Sequence, residues 1–329
     1  MMHFIKVAAA LSGLAFIVSA SPAAPVELLA LQSRATKHND FSCKPSADHP
    51  NPVVLLHGLG ATYYEDINFL EAFLQSKGFC TYSLTYGAYD GFPLVGGLKP
   101  IDESSHQIAD LINEVHAKTG ANKIDIVGHS EGGFQSLYVP KFREGISSLV
   151  DHIVAIAPPT HGTTFANLLN LLPLFGKDAR ENLGEILEKV GCAPCNEIST
   201  GGPSIAKLND GKPIVQPGNK VTVITSKHDE LVTPTTTSFI QEDGVNNIYI
   251  QDYCKSDPAG HIGEAYDTNV WNLVLNSLED QVGRKFLCLA GPPVSGAITQ
   301  TRGGLDLENP PAVWDGLKYK MKLCRTFSG

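Results

Sequence analysis

The chain has 329 residues, of which 43% are hydrophobic, and a formal net charge of −9. This length and composition suffice for one large hydrophobic core. The acidic balance and the absence of a basic run or patch argue against a nucleic-acid-binding protein, so we expect no nucleic acid partner.

The first 20 residues have the pattern of a secretory signal peptide. A charged start, Met1–Lys6, precedes an apolar stretch, Val7–Val18, and Val18-Ser19-Ala20 offers small residues for cleavage. A membrane anchor is the alternative, but the apolar stretch is too short to cross a bilayer as a helix. We therefore expect a secreted protein without a transmembrane segment, whose mature chain begins near Ser21.

All seven cysteines follow this segment, which fits an oxidising destination. Cys43 and Cys80 flank the first predicted strand and are expected to form one disulfide. Cys192 and Cys195 could be half of a metal site, but no matching Cys or His pair completes it, so a disulfide role is favoured. The pairing of the remaining three stays open; they are Cys254, Cys288 and Cys324, with Cys288–Cys324 as one alternative.

Six short apolar segments without strict alternation predict strands that are buried on both faces. They are Val53–Leu56, Phe79–Leu84, Ile124–Val127, Ile153–Ala157, Val221–Thr225 and Asn247–Gln251. Helical spacing of apolar residues predicts a helix over Glu103–Thr119 that Gly120 ends. Alternating strands and helices with right-handed crossovers predict an α/β fold with a doubly wound, mostly parallel sheet.

The third predicted strand runs directly into Gly128-His129-Ser130-Glu131-Gly132. Gly-x-Ser-x-Gly between a strand and a helix is typical of a nucleophile elbow, a strained turn that exposes the serine Oγ at the top of a sheet. Gly128 and Gly132 have a steric reason in such a turn, because we expect the strand and the helix to pass too close there for side chains. Ser130 is therefore the candidate nucleophile. The alternative is that the motif forms an ordinary strand-to-helix turn without a catalytic role.

A serine nucleophile needs a base to take its proton and an acid to orient the base. In hydrolases with this kind of elbow, the acid follows the serine in the chain and the histidine follows the acid. Asp229, after the fifth predicted strand, is the candidate acid, and Glu230 is the alternative. His261 follows the sixth strand and is the only histidine beyond Asp229. Asp252 and Asp257 are near His261 in sequence and are further candidates to support its imidazole.

The anionic intermediate of acyl transfer needs backbone N–H donors. We expect these from Glu131, which follows the serine, and from Leu59 in the Gly-rich loop after the first strand. Among the other histidines, His57 is interpreted as structural and His129 as directed into the protein. His161 is a candidate pocket residue and His228 a loop residue. The spacing of the histidines does not match a known metal motif, so no metal is expected.

Two regions exceed what the sheet requires. Residues 158–219 form a long insertion between predicted strands, and its first part, Thr163–Phe175, is rich in large apolar side chains. A core helix and a lid that covers the site until it meets a lipid surface are both open interpretations. After a catalytic domain at 21–280, the Gly- and Pro-containing tail predicts an irregular C-terminal extension over 281–329.

Several distant segments, in order, resemble secreted triacylglycerol lipases of the α/β-hydrolase fold, of the kind found in actinobacteria and filamentous fungi. The segments are Phe41–Ser46, Asn51–Gly58, Gly78–Tyr82, Gly120–Ser130, Ala157–Thr164, Leu208–Gly211 and Asp229–Pro234. The resemblance spans Phe41 to Asp280 and implies ester hydrolysis by Ser130, Asp229 and His261. Glu131 departs from the pattern, since many relatives have Gln there, and is expected to add a charge beside the oxyanion hole.

The expected reaction is acyl transfer from a lipid or other ester to water at an oil–water interface, by a monomer without a cofactor. A short-chain esterase or a cutinase-like polyester hydrolase is the alternative, because acyl-chain preference depends on pocket shape. A non-catalytic hydrolase-like binding protein is the remote alternative, because such proteins usually lack a triad residue and all three candidates are present here.

Overall fold

The computed structural model describes residues 38–164 and 191–289. In this part of the chain, six strands form one sheet in the order β2-β1-β3-β4-β5-β6, and every neighbouring pair is parallel. The strands are β1 Val53–Leu56, β2 Thr81–Ser83, β3 Ile124–His129, β4 Val150–Ile156, β5 Lys220–Thr225 and β6 Asn246–Tyr249. The predicted parallel α/β sheet is confirmed.

Helices connect and flank these strands. They are α1 Asn68–Ser76, α2 Ile101–Thr119, α3 Glu131–Phe142, α4 Ile146–Leu149, α5 Ala193–Glu197, α6 Pro203–Leu208, α7 Ile250–Tyr253, α8 His261–Tyr266 and α9 Thr268–Leu278, with a 3₁₀ helix at Thr235–Ser238. The predicted helix over 103–119 corresponds to α2. It ends where Gly120 adopts a left-handed conformation with φ of 69°, which glycine reaches without steric cost.

Each predicted strand is present; β1 has the predicted ends, and the ends of the other strands differ by up to three residues. The largest error is at β4, which begins at Val150 rather than Ile153. At the edge of the sheet, β6 ends at Tyr249, whereas the prediction continued to Gln251. The side chain of Asp252 accepts the backbone N–H of Tyr249 and caps a short helix there, α7. The cap explains why the helix begins at Ile250, where the apolar pattern predicted a continuing strand.

Side chains of β1 show how the sheet divides the core. Val54 and Leu56 belong to an apolar cluster that also contains residues of α2 and α3. Val53 and Leu55 belong to a second cluster with residues of α1 and α9. Since successive strand residues point to opposite faces, both faces of β1 are covered by helices, which explains the continuous apolar runs of the sequence.

Three disulfides link cysteines of the described residues: Cys43–Cys80, Cys192–Cys195 and Cys254–Cys288. The first was predicted, and the disulfide role favoured for Cys192 and Cys195 is confirmed by a bond between the two. The alternative of a Cys288–Cys324 bridge is wrong, because Cys288 is bonded to Cys254.

The first part of the predicted C-terminal extension packs on the sheet domain. The Asn269 side chain accepts the N–H of Leu289 and donates to its carbonyl oxygen, at 3.0 and 2.7 Å. The Phe286 ring also stacks on Tyr253. Residues 281–289 are thus attached to α7 and α9.

Some predicted features lie outside the described residues. These are the signal peptide, residues 165–175 of the apolar segment, and the tail beyond residue 289. Of the long insertion, residues 158–164 and 191–219 are described, and they include α5 and α6. Within the described ranges, none of the helices is long and apolar enough to cross a membrane.

The carboxyl of Glu71 on α1 is buried next to the edge strand β2 and makes the stability of the fold depend on pH. Burial raises the pKa of Glu71 to about 7, although the hydroxyls of Thr81 and Ser83 donate hydrogen bonds to it. An acid with a raised pKa contributes its full stability below its unfolded pKa of about 4.3. That contribution is then lost as the pH rises through about 7.

We therefore expect Glu71→Gln to stabilise the fold at pH 8, by up to about 3 kcal/mol, and to change it little at pH 5. Urea unfolding of both proteins at the two pH values, with disulfides intact, measures this difference. A difference that is the same at pH 5 and pH 8 would show that Glu71 does not take up a proton on folding.

Candidate active site

Ser130 lies on the turn between β3 and α3, with φ of 57° and ψ of −119°. This region is strained for a residue with a side chain and recurs at functional turns. A β-carbon on Gly128 would lie 2.1 Å from the carbonyl oxygen of Gly132, and one on Gly132 would lie 2.3 Å from that of Leu56. The predicted steric need for these two glycines is confirmed.

A continuous chain of hydrogen bonds leads from this serine to a carboxylate. The Ser130 Oγ lies 2.8 Å from His261 Nε2, and His261 Nδ1 lies 2.8 Å from Asp229 Oδ2. The other oxygen of Asp229 accepts the backbone N–H groups of Leu231 and Val232, at 2.8 and 2.9 Å. The carboxylate is thus held by its own loop and presents one oxygen to the imidazole.

The other acids considered for the imidazole have different partners. Glu230 accepts the backbone N–H of His261 at 3.1 Å. Asp252 caps α7 and pairs with Lys227, and Asp257 accepts the N–H of Ala259 and the amide of Asn269. The expectation that Asp252 or Asp257 supports the imidazole directly is therefore wrong, since both stabilise the surrounding loops.

The other described histidines near the site have different surroundings from His261, which hydrogen-bonds the serine hydroxyl. The His57 ring stacks on Tyr86 with centroids 4.3 Å apart, and burial lowers the pKa of His57 to about 4, so its ring is neutral. This fits the structural role that was predicted. His161 is exposed and bonds the carbonyl of Phe239, and His228 is exposed on the loop before Asp229.

The two predicted oxyanion donors lie on either side of the serine. A β-carbon on Gly58 would lie 3.2 Å from the Ser130 Cβ, so the loop after β1 packs directly against Ser130. Gly60 donates to the carbonyl of Gly96, and Gly96 donates to that of Ala61, at 3.0 and 2.8 Å. Between these bonds, the N–H of Leu59 has no acceptor among the described residues, and neither has that of Glu131.

The Glu131 side chain does not bring the expected charge to the oxyanion hole. It is fully buried, and both carboxyl oxygens lack a hydrogen-bond partner within the described ranges. Burial, and next the charge of Glu197, raises the pKa of Glu131 well above its ordinary value. Burial without a hydrogen-bond donor therefore favours the uncharged form of this carboxyl.

Asp66 is a site residue that the sequence analysis missed. Its Oδ2 accepts the N–H of Gly58 at 2.7 Å and lies 2.9 Å from His129 Nδ1, while His129 Nε2 donates to the carbonyl of His261 at 3.0 Å. This chain joins the Leu59 loop to the loop of the candidate base. The sequence analysis predicted that His129 points into the protein. It did not identify Asp66, because no local sequence pattern distinguishes this residue.

The Asp66 and His129 side chains form a buried ion pair. Burial alone would raise the pKa of Asp66 and lower that of His129, but their mutual attraction reverses both shifts. The pKa of Asp66 is lowered and the pKa of His129 is raised. Both ring nitrogens of His129 face acceptors, which requires the doubly protonated imidazolium.

Glu264 is a second residue that the sequence did not indicate. It is buried on α8, and its Oε1 accepts the N–H of Ser226 at 3.1 Å, at the end of β5. Burial, followed by the charge of Asp229, raises the pKa of Glu264 well above its ordinary value. A neutral Glu264 supports the loop of Asp229 without adding a second anion.

One group within the described ranges has the spacing of metal ligands: Asp125, Asp151 and His152. It lies at the start of β3 and β4, opposite the end that carries Ser130. Asp125 Oδ1 already accepts the Asn51 amide and the His152 backbone N–H, and it lies 3.0 Å from the His152 ring nitrogen. In this structure, the group therefore forms a hydrogen-bond network.

Comparison with known proteins identifies the fold. A family model described as the alpha/beta hydrolase fold matches residues 51–193. The crystal structure of Aspergillus fumigatus lipase B superposes with a TM-score of 0.53 at 19% identity, covering 82% of this chain and 65% of that chain. The chain has the α/β-hydrolase fold. The predicted fold class is confirmed, and the elbow at Ser130 lies inside the matched region.

Two curated relatives are similar to part of this α/β-hydrolase. Triacylglycerol lipases from Pseudarthrobacter phenanthrenivorans and Burkholderia plantarii are each 28% identical to it over 123 residues. The alignments cover 36% of this chain, and 36% and 32% of the two relatives. The chain thus spans about a third of the length of the curated relatives that it matches.

The buried ion pair between Asp66 and His129 predicts a pH range in which the fold is most stable. A lowered acid pKa stabilises the fold above about pH 3.9, and a raised His pKa stabilises it fully below about pH 6.5 and less as the pH rises through the folded value. Asp66→Asn keeps an acceptor for Gly58 but removes the charge. We expect it to cost about 3 kcal/mol between pH 4 and 6.5, and less at higher pH.

Unfolding of the wild type and of Asp66→Asn across this pH range measures the effect. Asp110→Asn, which changes an exposed carboxylate on α2, is the matched control and should give no such window. If Asp66→Asn destabilises the protein equally at pH 5 and pH 9, the pair is not ionised in the folded state.

Proposed function

We propose that this α/β-hydrolase is a secreted carboxylic-ester hydrolase, most simply a triacylglycerol lipase, with Ser130, His261 and Asp229 as its catalytic triad. The observation that carries the proposal is the unbroken hydrogen-bond chain from Ser130 Oγ through His261 to Asp229, with both steps at 2.8 Å. The elbow geometry and the two amides beside it are consistent with acyl transfer.

In the proposed mechanism, Ser130 Oγ attacks the ester carbonyl while His261 Nε2 takes its proton. Asp229 holds His261 in the tautomer with a proton on Nδ1 and stabilises the imidazolium that forms. The amides of Leu59 and Glu131 donate to the oxyanion of the tetrahedral intermediate. The imidazolium then protonates the departing alcohol, and water, activated by His261, releases the acid from the acyl-enzyme.

The lipid substrate class is supported by similarity. The two bacterial relatives are named triacylglycerol lipases, and the matched family is that of the hydrolase fold. In support of secretion, the described residues contain three disulfides, which persist in oxidising compartments. Together with the signal-like start of the sequence, this favours an extracellular enzyme that acts at an oil–water interface.

Substitutions at the triad test the catalytic assignment. Ser130→Ala and His261→Ala should each lower kcat by about six orders of magnitude, and Asp229→Asn by about four, because the acid only orients the base. A p-nitrophenyl ester assay of the purified proteins measures these losses, and circular dichroism establishes that each variant is folded.

His228→Ala is the matched control, since it changes an exposed histidine next to Asp229 and should retain wild-type turnover. A folded, active Ser130→Ala variant would refute the proposed nucleophile. An inactive His228→Ala beside an active His261→Ala would reassign the base, and a greater loss from Glu230→Gln than from Asp229→Asn would move the acid by one residue.

Substrate form and chain length separate the lipase from its alternatives. For a triacylglycerol lipase, we expect hydrolysis to favour long-chain esters and to rise when the substrate passes from monomer to emulsion. Rates on p-nitrophenyl esters of graded chain length and on emulsified triacylglycerol measure this. Preference for short monomeric esters indicates an esterase, and release of monomers from a polyester film indicates a cutinase-like enzyme. No labelling of Ser130 by a fluorophosphonate would indicate a binding protein.

A further inference from the structure

The Glu131 carboxyl packs against the loop that carries the other oxyanion donor. A β-carbon on Gly97 would lie 2.6 Å from Glu131 Oε2 and 3.2 Å from the Leu59 Cα. The backbone of Gly97 therefore fills the narrow space between this carboxyl and Leu59. The positive φ of Gly97, 64°, and its missing side chain both allow this close approach.

Hydrogen bonds attach Gly97 and its neighbour Gly96 to the loops after β1 and β2. Its N–H donates to the carbonyl of Tyr86 at 2.8 Å, and the Tyr86 hydroxyl donates to the carbonyl of His57 at 2.6 Å. Gly96, one residue earlier, exchanges hydrogen bonds with Gly60 and Ala61 on the far side of Leu59. A shift of Gly97 would therefore be passed on to the Leu59 amide.

The charged and titratable groups around Glu131 favour its uncharged form. Glu197 ends α5, and its Oε2 accepts the N–H of Ile101 and the hydroxyl of Ser204, both at 2.9 Å. Tyr86 and the neutral His57 face the site from the loops after β2 and β1. Among the described residues, no Lys, Arg or His pairs with Glu131. An isolated buried carboxylate is strongly unfavourable, so the proton stays.

We propose that Glu131 is a positioning residue of the oxyanion hole: as an uncharged acid, its side chain supports Gly97 and thereby sets the position of the Leu59 amide, while its own amide is the second donor. The inference rests on the proposed function of Ser130. One residue would then position both donors. The charge that a carboxylate would bring, which would repel the oxyanion, is absent.

Three variants test this inference. Glu131→Gln keeps the size and neutrality of the side chain, and Glu131→Ala removes the support but keeps the backbone N–H. Gln135→Ala is the matched control, because Gln135 is also fully buried on α3, one turn further along, and bonds the carbonyl of Ile101. It should lower the melting temperature as Glu131→Ala does without affecting the oxyanion loop.

On a soluble p-nitrophenyl ester, Glu131→Gln should keep kcat within about twofold of the wild type. Glu131→Ala should lower kcat by about tenfold or more with little change in KM, since misplacing an oxyanion donor weakens only the transition state. Gln135→Ala should retain kcat within about twofold. Equal kcat values for Glu131→Ala and Gln135→Ala would overturn the positioning role.

Two readouts do not depend on ester hydrolysis, so they separate this inference from the proposed function. At neutral pH, the infrared difference spectrum between the wild type and Glu131→Gln should contain the carbonyl stretch of a protonated carboxyl; carboxylate bands would refute the uncharged state. Hydrogen exchange of a peptide covering residues 57–61 should be faster in Glu131→Ala than in Gln135→Ala. Equal exchange would refute the contact through Gly97, whatever the activity of the wild type.

Discussion

The close passage of β3 past α3 is the constraint on which the rest of the site depends. With carbonyl oxygens only 2.1 and 2.3 Å from where β-carbons of Gly128 and Gly132 would lie, the chain can reverse only through a residue in a strained conformation, and that residue is Ser130. The same turn places the amide of Glu131 at the free end of α3, where helix N–H groups have no partners within the helix. The proposed nucleophile and one proposed oxyanion donor thus arise from a single packing requirement.

The position of β3 in the sheet brings the other groups to this turn. Its neighbours are β1 and β4, and all strands run in parallel, so the loops after their carboxyl ends lie along one edge. The loop after β1 supplies Leu59, the loop after β5 supplies Asp229, and the segment after β6 leads to His261. Hydrogen bonds between backbone and side chains then connect these loops. Asp66 and His129, for example, link the loop after β1 to the segment that carries His261.

The fold could be predicted because the buried strands are uninterrupted apolar runs, and this signal is local. It failed at Ile250, where the carboxylate of Asp252 caps a helix and polar geometry outweighs hydrophobicity. Ser130, Asp229 and His261 could be chosen because a motif and chain order restrict them. Asp66 and Glu264 could not, because their importance comes only from residues distant in sequence, the N–H of Gly58 and the N–H of Ser226.

The charge states of the buried groups around Ser130 follow from whether each has a partner. Asp66 has a cation, His129, and the two ionise together. Asp229 receives two amide donors and faces the imidazole. Glu131 and Glu264 have no cationic partner among the described residues, and burial favours the protonated form of each. A developing oxyanion next to Ser130 would be opposed by any fixed negative charge at Glu131, since Coulomb interactions are strong in a buried site. The fold therefore accommodates an acid beside the proposed nucleophile by burying it where no described residue supplies a counterion.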